Sequence, residues 1–247
     1  MASQSLAFVE HIKAIIDRVV DTQYNQIDEA SHRIVEAIKQ NKCIYVFGAS
    51  HAGIIAQELF YRTGGLVPIN PILPASLQLN VRPVSHTSAM ERLEGYGSEI
   101  LKATTMEEGD VLLIHSVSGR NAVAIDLALD ARQMGIFVIA LTNHNYSSQV
   151  TARHSSGKRL FECADLVIDN CGDFEDASMM IEHFDQKVAP SSTIIGALIV
   201  NMIVVQVTEK LIALGIAPPI FHSANVDGGD AFNKKMFEKY KDQIHYL

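Results

Sequence analysis

The chain has 247 residues, of which 48% are hydrophobic and 19% charged, and its formal net charge is −8. This apolar content is sufficient for a hydrophobic core and argues against a disordered chain. The acidic balance, without any basic run, argues against nucleic acid or an anionic membrane surface as a partner.

The cysteines and the first residues predict a reduced, cytoplasmic protein. Cys43, Cys163 and Cys171 form no CxxC pair and no disulfide framework. The opening residues lack the basic and apolar regions of a signal peptide.

Apolar residues recur at three- and four-residue steps through residues 5–40. This periodicity predicts one long amphipathic helix or two consecutive ones, as an N-terminal helical extension over residues 1–40.

Continuous apolar runs follow, separated by segments of helical character. The runs predict strands at 43–47, 66–70, 111–115, 136–141 and 166–169, with helices near 52–63, 88–103 and 121–134. Apolar runs without alternation are typical of parallel strands covered on both faces. The fold class predicted is therefore α/β, a doubly wound five-stranded parallel sheet whose core spans residues 41–215 of a single domain.

The most apolar stretch, residues 194–207, is interrupted by Gly196, Asn201 and Gln206. It is shorter than the roughly 18 residues of a membrane span, so a buried helix over 193–214 is expected and no membrane. Residues 216–247 are expected to form a C-terminal helical segment, with a last helix near 231–244. Met179, Met180 and Phe184 are expected to fill the core.

Ligands of parallel sheets bind where the strands end, so the loops after the strands carry the functional signal. Gly48, Ser50 and His51 follow the first strand, but neither a Walker A loop nor a dinucleotide fingerprint fits the residues that surround them. A tight glycine turn, a hydroxyl and an imidazole at a helix N-terminus can hold an anion. Ser50 could also serve only as a helix cap.

The other loops repeat this chemistry. After the third strand come Ser116, Ser118, Gly119 and Asn121, and after the fourth strand come Thr142 and Asn143. The long apolar helix begins with Ser191, Ser192 and Thr193. Each loop alone could be a cap, but four such loops at one sheet edge predict a binding site for an anion.

The residues Gly48-Ala49-Ser50, Ser116-x-Ser118-Gly119 and Pro190-Ser-Ser-Thr193 resemble those of the sugar isomerase (SIS) domain. Within it the chain is similar to phosphoheptose isomerases and, through residues 157–170 and 223–230, to the bacterial UPF0309 family. The resemblance implies a five-stranded parallel sheet, usually in a dimer. It also implies a sugar-phosphate ligand whose phosphate lies in the serine and threonine loops.

The segment around Glu58 resembles the phosphoheptose isomerase segment with a catalytic glutamate. His51 lies seven residues before it, so on one helix both would share a face, about 10 Å apart. Glu58 is the predicted base and His51 the predicted acid, although Glu58 could instead simply pair with Arg62.

Two histidines of the phosphoheptose isomerases have no counterpart. Ile54 stands where one precedes the glutamate, and residues 193–210 contain no histidine. No metal and no cofactor are therefore predicted. Several histidines could supply the missing acid or base: His51, His115, His144 and His222.

Two functions remain open at this point. The first is a sugar-phosphate isomerase that works through an enediol, and the alternative is a non-catalytic module that binds or senses a sugar phosphate. A homodimer or higher homo-oligomer is expected, because the helices at 5–40 and 193–214 carry more apolar surface than one sheet face covers.

Overall fold

The computed structural model describes residues 3–247, and helix α1 (Gln4–Lys39) forms its N-terminal part. Of the two arrangements predicted for this region, the structure shows a single helix of 36 residues. Its buried residues include Ile15, Val19, Ile27 and Ile34. These residues recur at the spacing of one helix face and pack against the sheet and a second long helix.

A five-stranded parallel sheet forms the centre, as predicted. Its strands are β1 (Ile44–Gly48), β2 (Ile69–Ile72), β3 (Val111–His115), β4 (Phe137–Thr142) and β5 (Leu166–Asp169), in the order β2-β1-β3-β4-β5. Every residue of β1 and β3 is buried, which explains why these strands show no polar alternation. Gly48 pairs with His115 in register, so the loops after β1 and β3 begin side by side.

Helices cover both faces of the sheet. They are α2 (Gly53–Leu59), α3 (Ser85–Glu91), α4 (Tyr96–Lys102), α5 (Ala122–Gln133), α6 (His144–Gln149), α7 (Ser192–Ala213) and α8 (Gly229–Lys239). One core cluster joins the sheet to α1, α2 and α7, and a second joins it to α4 and α5. This is the doubly wound arrangement that the strand–helix alternation predicted. A third, smaller cluster is formed by Val67, Phe221, Tyr240 and Ile244.

Several predicted boundaries are wrong. The second strand begins at Ile69 because Leu66 instead forms a bridge with Ile220. The helix predicted over 88–103 is two helices, α3 and α4, because the chain turns between them at Gly95, whose φ is 87°. The helix predicted to reach residue 63 ends at Leu59, and the last helix lies at 229–239 rather than at 231–244.

The segment between β5 and α7 forms an antiparallel hairpin, β6 (Ala177–Met179) with β7 (Val188–Pro190), which the sequence did not predict. Met180 is 54% exposed and Phe184 is 49% exposed. Met179 is half-buried, and the expectation that these three residues fill the core is wrong, because none of them belongs to a core cluster.

Within the described residues, α7 is the one helix with the length and apolar composition of a membrane span. Half of that stretch is buried inside the fold, where α7 packs against α1 and α2.

Candidate functional site

A cavity of about 230 Å³ opens at the carboxyl ends of β1 and β3. This is where ligands bind in open parallel sheets. Its polar lining comes from both strand-end loops and from three further segments: Ser50, His51, Glu91, His115, Ser116, Ser118, Asn121, Tyr146 and Asp176.

The loop after β1 turns sharply at Gly48. A Cβ atom on Gly48 would lie 2.3 Å from the carbonyl oxygen of Ala52, so only glycine fits there. Ser50 then adopts a left-handed conformation, with φ of 56°, at the start of a short 3-10 turn over Ser50–Ala52. This conformation is energetically unfavourable for a residue other than glycine, so the surrounding structure must hold it. In this conformation Ser50 lines the cavity.

Close packing at Gly119 and a hydrogen bond from Thr142 fix the loop after β3. Gly119 has a φ of 58°, and a Cβ atom there would lie 2.8 Å from the hydroxyl of Ser147. The Thr142 hydroxyl donates to the carbonyl of Val117 at 3.1 Å. The loop thereby presents Ser116 and Ser118 to the cavity. Over residues 3–247, neither these two hydroxyls nor that of Ser50 has a hydrogen-bond partner in the protein, so all three remain available to a ligand.

His115, the last residue of β3, is 1% exposed and also lines the cavity. Burial lowers its pKa, while the bond to Ala52 and the charge of Asp176 oppose that shift. The ring is therefore neutral near pH 7. Its Nδ1 lies 3.1 Å from the Ala52 carbonyl oxygen, which assigns the proton to Nδ1. Nε2 is then a buried acceptor without a partner within the described chain.

Glu91, at the end of α3, supplies a carboxyl group to the cavity. Its Oε2 accepts a hydrogen bond from the Asn121 side chain at 2.8 Å, and Asn121 in turn accepts one from Arg153 at 3.0 Å. Burial raises the pKa of Glu91, and the hydrogen bond from Asn121 and the charges of Arg92 and Arg153 partly offset that shift.

Asp176 occupies the N-terminus of α7. Its carboxylate accepts from the backbone N–H of Ser192 at 2.8 Å and of Ser191 at 3.2 Å. The Ser192 hydroxyl donates to the same carboxylate at 2.5 Å. This helix end binds an anion, as its chemistry predicts, and in this structure the anion is the protein's own carboxylate.

Apart from Glu58, the predicted site residues fall into two groups. Ser50, His51, Ser116, Ser118 and Asn121 line one cavity. Gly48, Gly119 and Thr142 lie outside its lining and shape the two loops, Ser191 and Ser192 contact Asp176, and Asn143 and Thr193 also lie outside the lining. Thr193 is half-buried in the first turn of α7.

Asn143 has a structural contact on each side of its amide. The side chain accepts from the backbone N–H of Tyr146 at 2.8 Å, which caps α6, and donates to the carbonyl of Asp173 at 2.9 Å.

Glu58 does not line the cavity. Its carboxylate pairs with Arg62, the alternative left open by the sequence, and accepts from the Asn201 side chain at 2.9 Å. The predicted single-helix geometry with His51 is wrong, because His51 lies in the 3-10 turn and α2 begins only at Gly53.

Sequence reasoning missed Glu91, Tyr146 and Asp176. No sequence motif marks the helix in which Glu91 lies, and Asp176 lies in the hairpin segment that the sequence did not predict. His115 was one of four histidines that the sequence offered as acid or base, with His51 placed first; in the structure His115 lines the same cavity as His51 and is buried. Over residues 3–247 no three His, Cys, Asp or Glu side chains are grouped as ligands for a metal ion.

Comparisons with known proteins agree with this architecture. The SIS domain family model matches residues 7–143. A UPF0309 protein of Shouchella clausii is 52% identical over 240 residues, which covers 97% of this chain and 98% of that protein. A UPF0309 protein of Oceanobacillus iheyensis is 53% identical over 232 residues, with 94% of each chain covered.

Solved structures give the same fold. A phosphoheptose isomerase from Francisella tularensis superposes with a TM-score of 0.55 at 16% identity, covering 83% of this chain and 97% of that chain. A phosphoheptose isomerase from Neisseria gonorrhoeae gives a TM-score of 0.51 at 15% identity, covering 83% and 95%. The chain belongs to the SIS-domain family and, within it, to the UPF0309 proteins.

Proposed function

We propose that the cavity between the β1 and β3 loops binds a sugar phosphate, with the phosphate held by Ser50, Ser116 and Ser118. The observation that carries this proposal is the convergence of three unpartnered hydroxyls on one cavity. Hydroxyl donors beside the N-terminus of α5 suit a phosphate, because the free N–H groups and the dipole of a helix start favour negative charge.

The remaining cavity wall suits the sugar. The unpartnered Nε2 of His115 accepts a hydrogen bond, and the carboxyl of Glu91 accepts or donates one. The family's phosphoheptose isomerase members have the same fold, which supports a sugar phosphate as the ligand.

The binding test replaces Ser116 and Ser118 together with alanine. Each lost hydrogen bond to a charged phosphate costs about 1.5–3 kcal/mol, so affinity falls by at least about tenfold for each hydroxyl. Isothermal titration with fructose 6-phosphate, ribulose 5-phosphate and sedoheptulose 7-phosphate measures this loss, and Ser98→Ala on α4 is the control outside the cavity. Unchanged affinity in the double variant would refute the phosphate assignment.

The reaction proposed is aldose–ketose isomerisation through an enediol, in which a base moves a proton between adjacent carbons. Glu58 is the base suggested by the resemblance and His51 the acid. Glu58 lies outside the cavity, next to Asn201 of α7. Glu58 can act as the base only if the bound sugar extends beyond the cavity wall toward it.

That same displacement of Glu58 favours a second candidate, a binding module without catalysis. Exchange of solvent deuterium into the carbon next to the carbonyl of the bound ketose phosphate separates the two. An isomerase incorporates deuterium, whereas a sensor binds the ligand and incorporates none.

A homodimer is part of the proposal. Apolar side chains stay exposed on the adjacent faces of α1 and α7, with Tyr24 52%, Val205 57% and Ile212 60% exposed, and a second cavity of about 360 Å³ lies between the two helices. Contiguous apolar surface of this kind is typical of an interface. Asn201 lines the same face, so the dimer would bring a partner close to Glu58.

Sedimentation equilibrium tests the dimer. The wild-type chain is expected at twice its 27.1 kDa mass, and the double substitution V205E/I212E is expected to shift it to monomer. Leu93→Glu, at a residue 50% exposed on a different surface, is the matched control. A wild-type monomer at micromolar concentration contradicts the prediction.

A cytoplasmic location completes the proposal. It is supported by the three cysteines, which are all free thiols in the structure, as expected in a reducing compartment.

A further inference from the structure

Glu91 is held in the cavity by the side chain of Asn121, which does not cap the adjacent helix. Asn121 stands at the N-cap of α5, where an asparagine ordinarily accepts a hydrogen bond from the first turn, but its side chain makes no capping bond. Its amide donates instead to Glu91 Oε2 at 2.8 Å and accepts from Arg153 at 3.0 Å. The amide is thereby fixed in one orientation, and the carboxyl is aligned by it.

The second oxygen of this carboxyl is free. Within residues 3–247, Oε1 of Glu91 has no hydrogen-bond partner, although the residue lines the same cavity as Ser50, Ser116 and Ser118. A carboxyl fixed through one oxygen and open through the other is arranged to act on a ligand. Glu58, by contrast, has its Oε1 occupied by Arg62 and Asn201.

The charges around Glu91 suit proton exchange. Burial raises its pKa, so the carboxyl takes up a proton more readily than a solvated glutamate. The hydrogen bond from Asn121 and the charges of Arg92 and Arg153 oppose that rise in the pKa and limit it. The other ionisable groups lining the cavity are His51, His115, Tyr146 and Asp176, none of which forms a hydrogen bond with Glu91.

We propose that Glu91 is the catalytic carboxyl of this cavity, the group that carries the proton between the two carbons of the bound sugar phosphate; this rests on the proposed function. The carboxylate takes the proton from the carbon next to the carbonyl, and the C–H electron pair becomes the C=C bond of the enediol as the carbonyl oxygen gains a proton from solvent. Glu91 then returns its proton to the former carbonyl carbon. The neighbouring hydroxyl releases its proton to solvent and becomes the new carbonyl, so no further reactant is needed.

The test compares Glu91→Gln with wild type in D₂O, using fructose 6-phosphate, ribulose 5-phosphate and sedoheptulose 7-phosphate as probes. Deuterium incorporation next to the carbonyl is followed by NMR, and binding of the same probes by calorimetry. Glutamine keeps the shape and the bond to Asn121 but cannot take a proton. We expect exchange to fall at least 100-fold while affinity changes less than threefold. Glu99→Gln, at an exposed residue of α4, is the matched control and keeps wild-type exchange.

Each outcome has a distinct meaning. Exchange by Glu91→Gln within tenfold of wild type overturns the assignment, most directly if Glu58→Gln abolishes exchange instead. Wild-type protein that binds the probes but exchanges none of them also overturns it, while leaving the binding proposal intact. Wild-type protein that binds none of the probes refutes the proposed function itself. Should Glu91→Gln fail to fold, Glu91→Asp keeps the carboxyl, and exchange reduced but above the protein-free rate is the expected result; exchange equal to wild type would count against the role.

Discussion

Replacing Asp176 with alanine tests how much the N-terminus of α7 depends on a carboxylate from the hairpin segment. Asp176 accepts hydrogen bonds from the backbone N–H groups of Ser191 and Ser192 and from the Ser192 hydroxyl. No side chain of the helix itself caps this end, and Ser192 is 5% exposed, so water does not readily replace the lost acceptor.

The magnitude follows from these contacts. Loss of a capping acceptor costs about 0.5–2 kcal/mol, and loss of a carboxylate near the helix start costs about 0.3–1 kcal/mol more. A total near 2 kcal/mol corresponds to a melting temperature lower by about 4–8 °C for a chain of this size.

Differential scanning calorimetry of the unliganded protein measures the change. Asp185→Ala is the matched control, since Asp185 is exposed in the same hairpin segment and is expected to melt with wild type. A melting temperature for Asp176→Ala within 1 °C of wild type would show that the carboxylate does not stabilise α7, and the reasoning would fail.

Two further predictions concern stability. Burial lowers the pKa of His115 in the folded protein, so as the pH drops below about 6.5 the unfolded chain takes up a proton at this residue before the folded protein does. The free energy of unfolding should therefore fall by up to about 1.4 kcal/mol per pH unit for this one group. His115→Gln should flatten that part of the urea-denaturation profile against pH, whereas His183→Gln, at an exposed histidine, should leave it as in wild type; equal slopes in both variants would contradict the prediction. Gly48→Ala should lower the free energy of unfolding by at least about 2 kcal/mol, because the Cβ of the alanine would lie 2.3 Å from the backbone carbonyl oxygen of Ala52. Urea denaturation measures this loss, and an unchanged midpoint would contradict the prediction by showing that the turn adapts.

The sequence alone determined the fold class and the edge of the sheet where the cavity lies. Apolar runs such as 111–115 mark buried parallel strands, and glycine and serine residues mark where those strands end. These signals are local, because strand periodicity and turn conformation depend on neighbouring residues. Because parallel strands end at the same sheet edge, the sequence also predicts that the two serine loops after β1 and β3 lie at one edge.

Only the tertiary structure decided which side chains share the cavity. Glu91 meets Asn121 across 30 residues, and Asp176 meets Ser192 across 16, through segments whose sequences carry no periodic pattern. Glu58 has a plausible local pattern, yet the chain leaves the 3-10 turn at Gly53 and directs its carboxylate to Arg62 and Asn201. Burial and hydrogen bonding between distant segments are properties of packing, so no local spacing in the sequence records them.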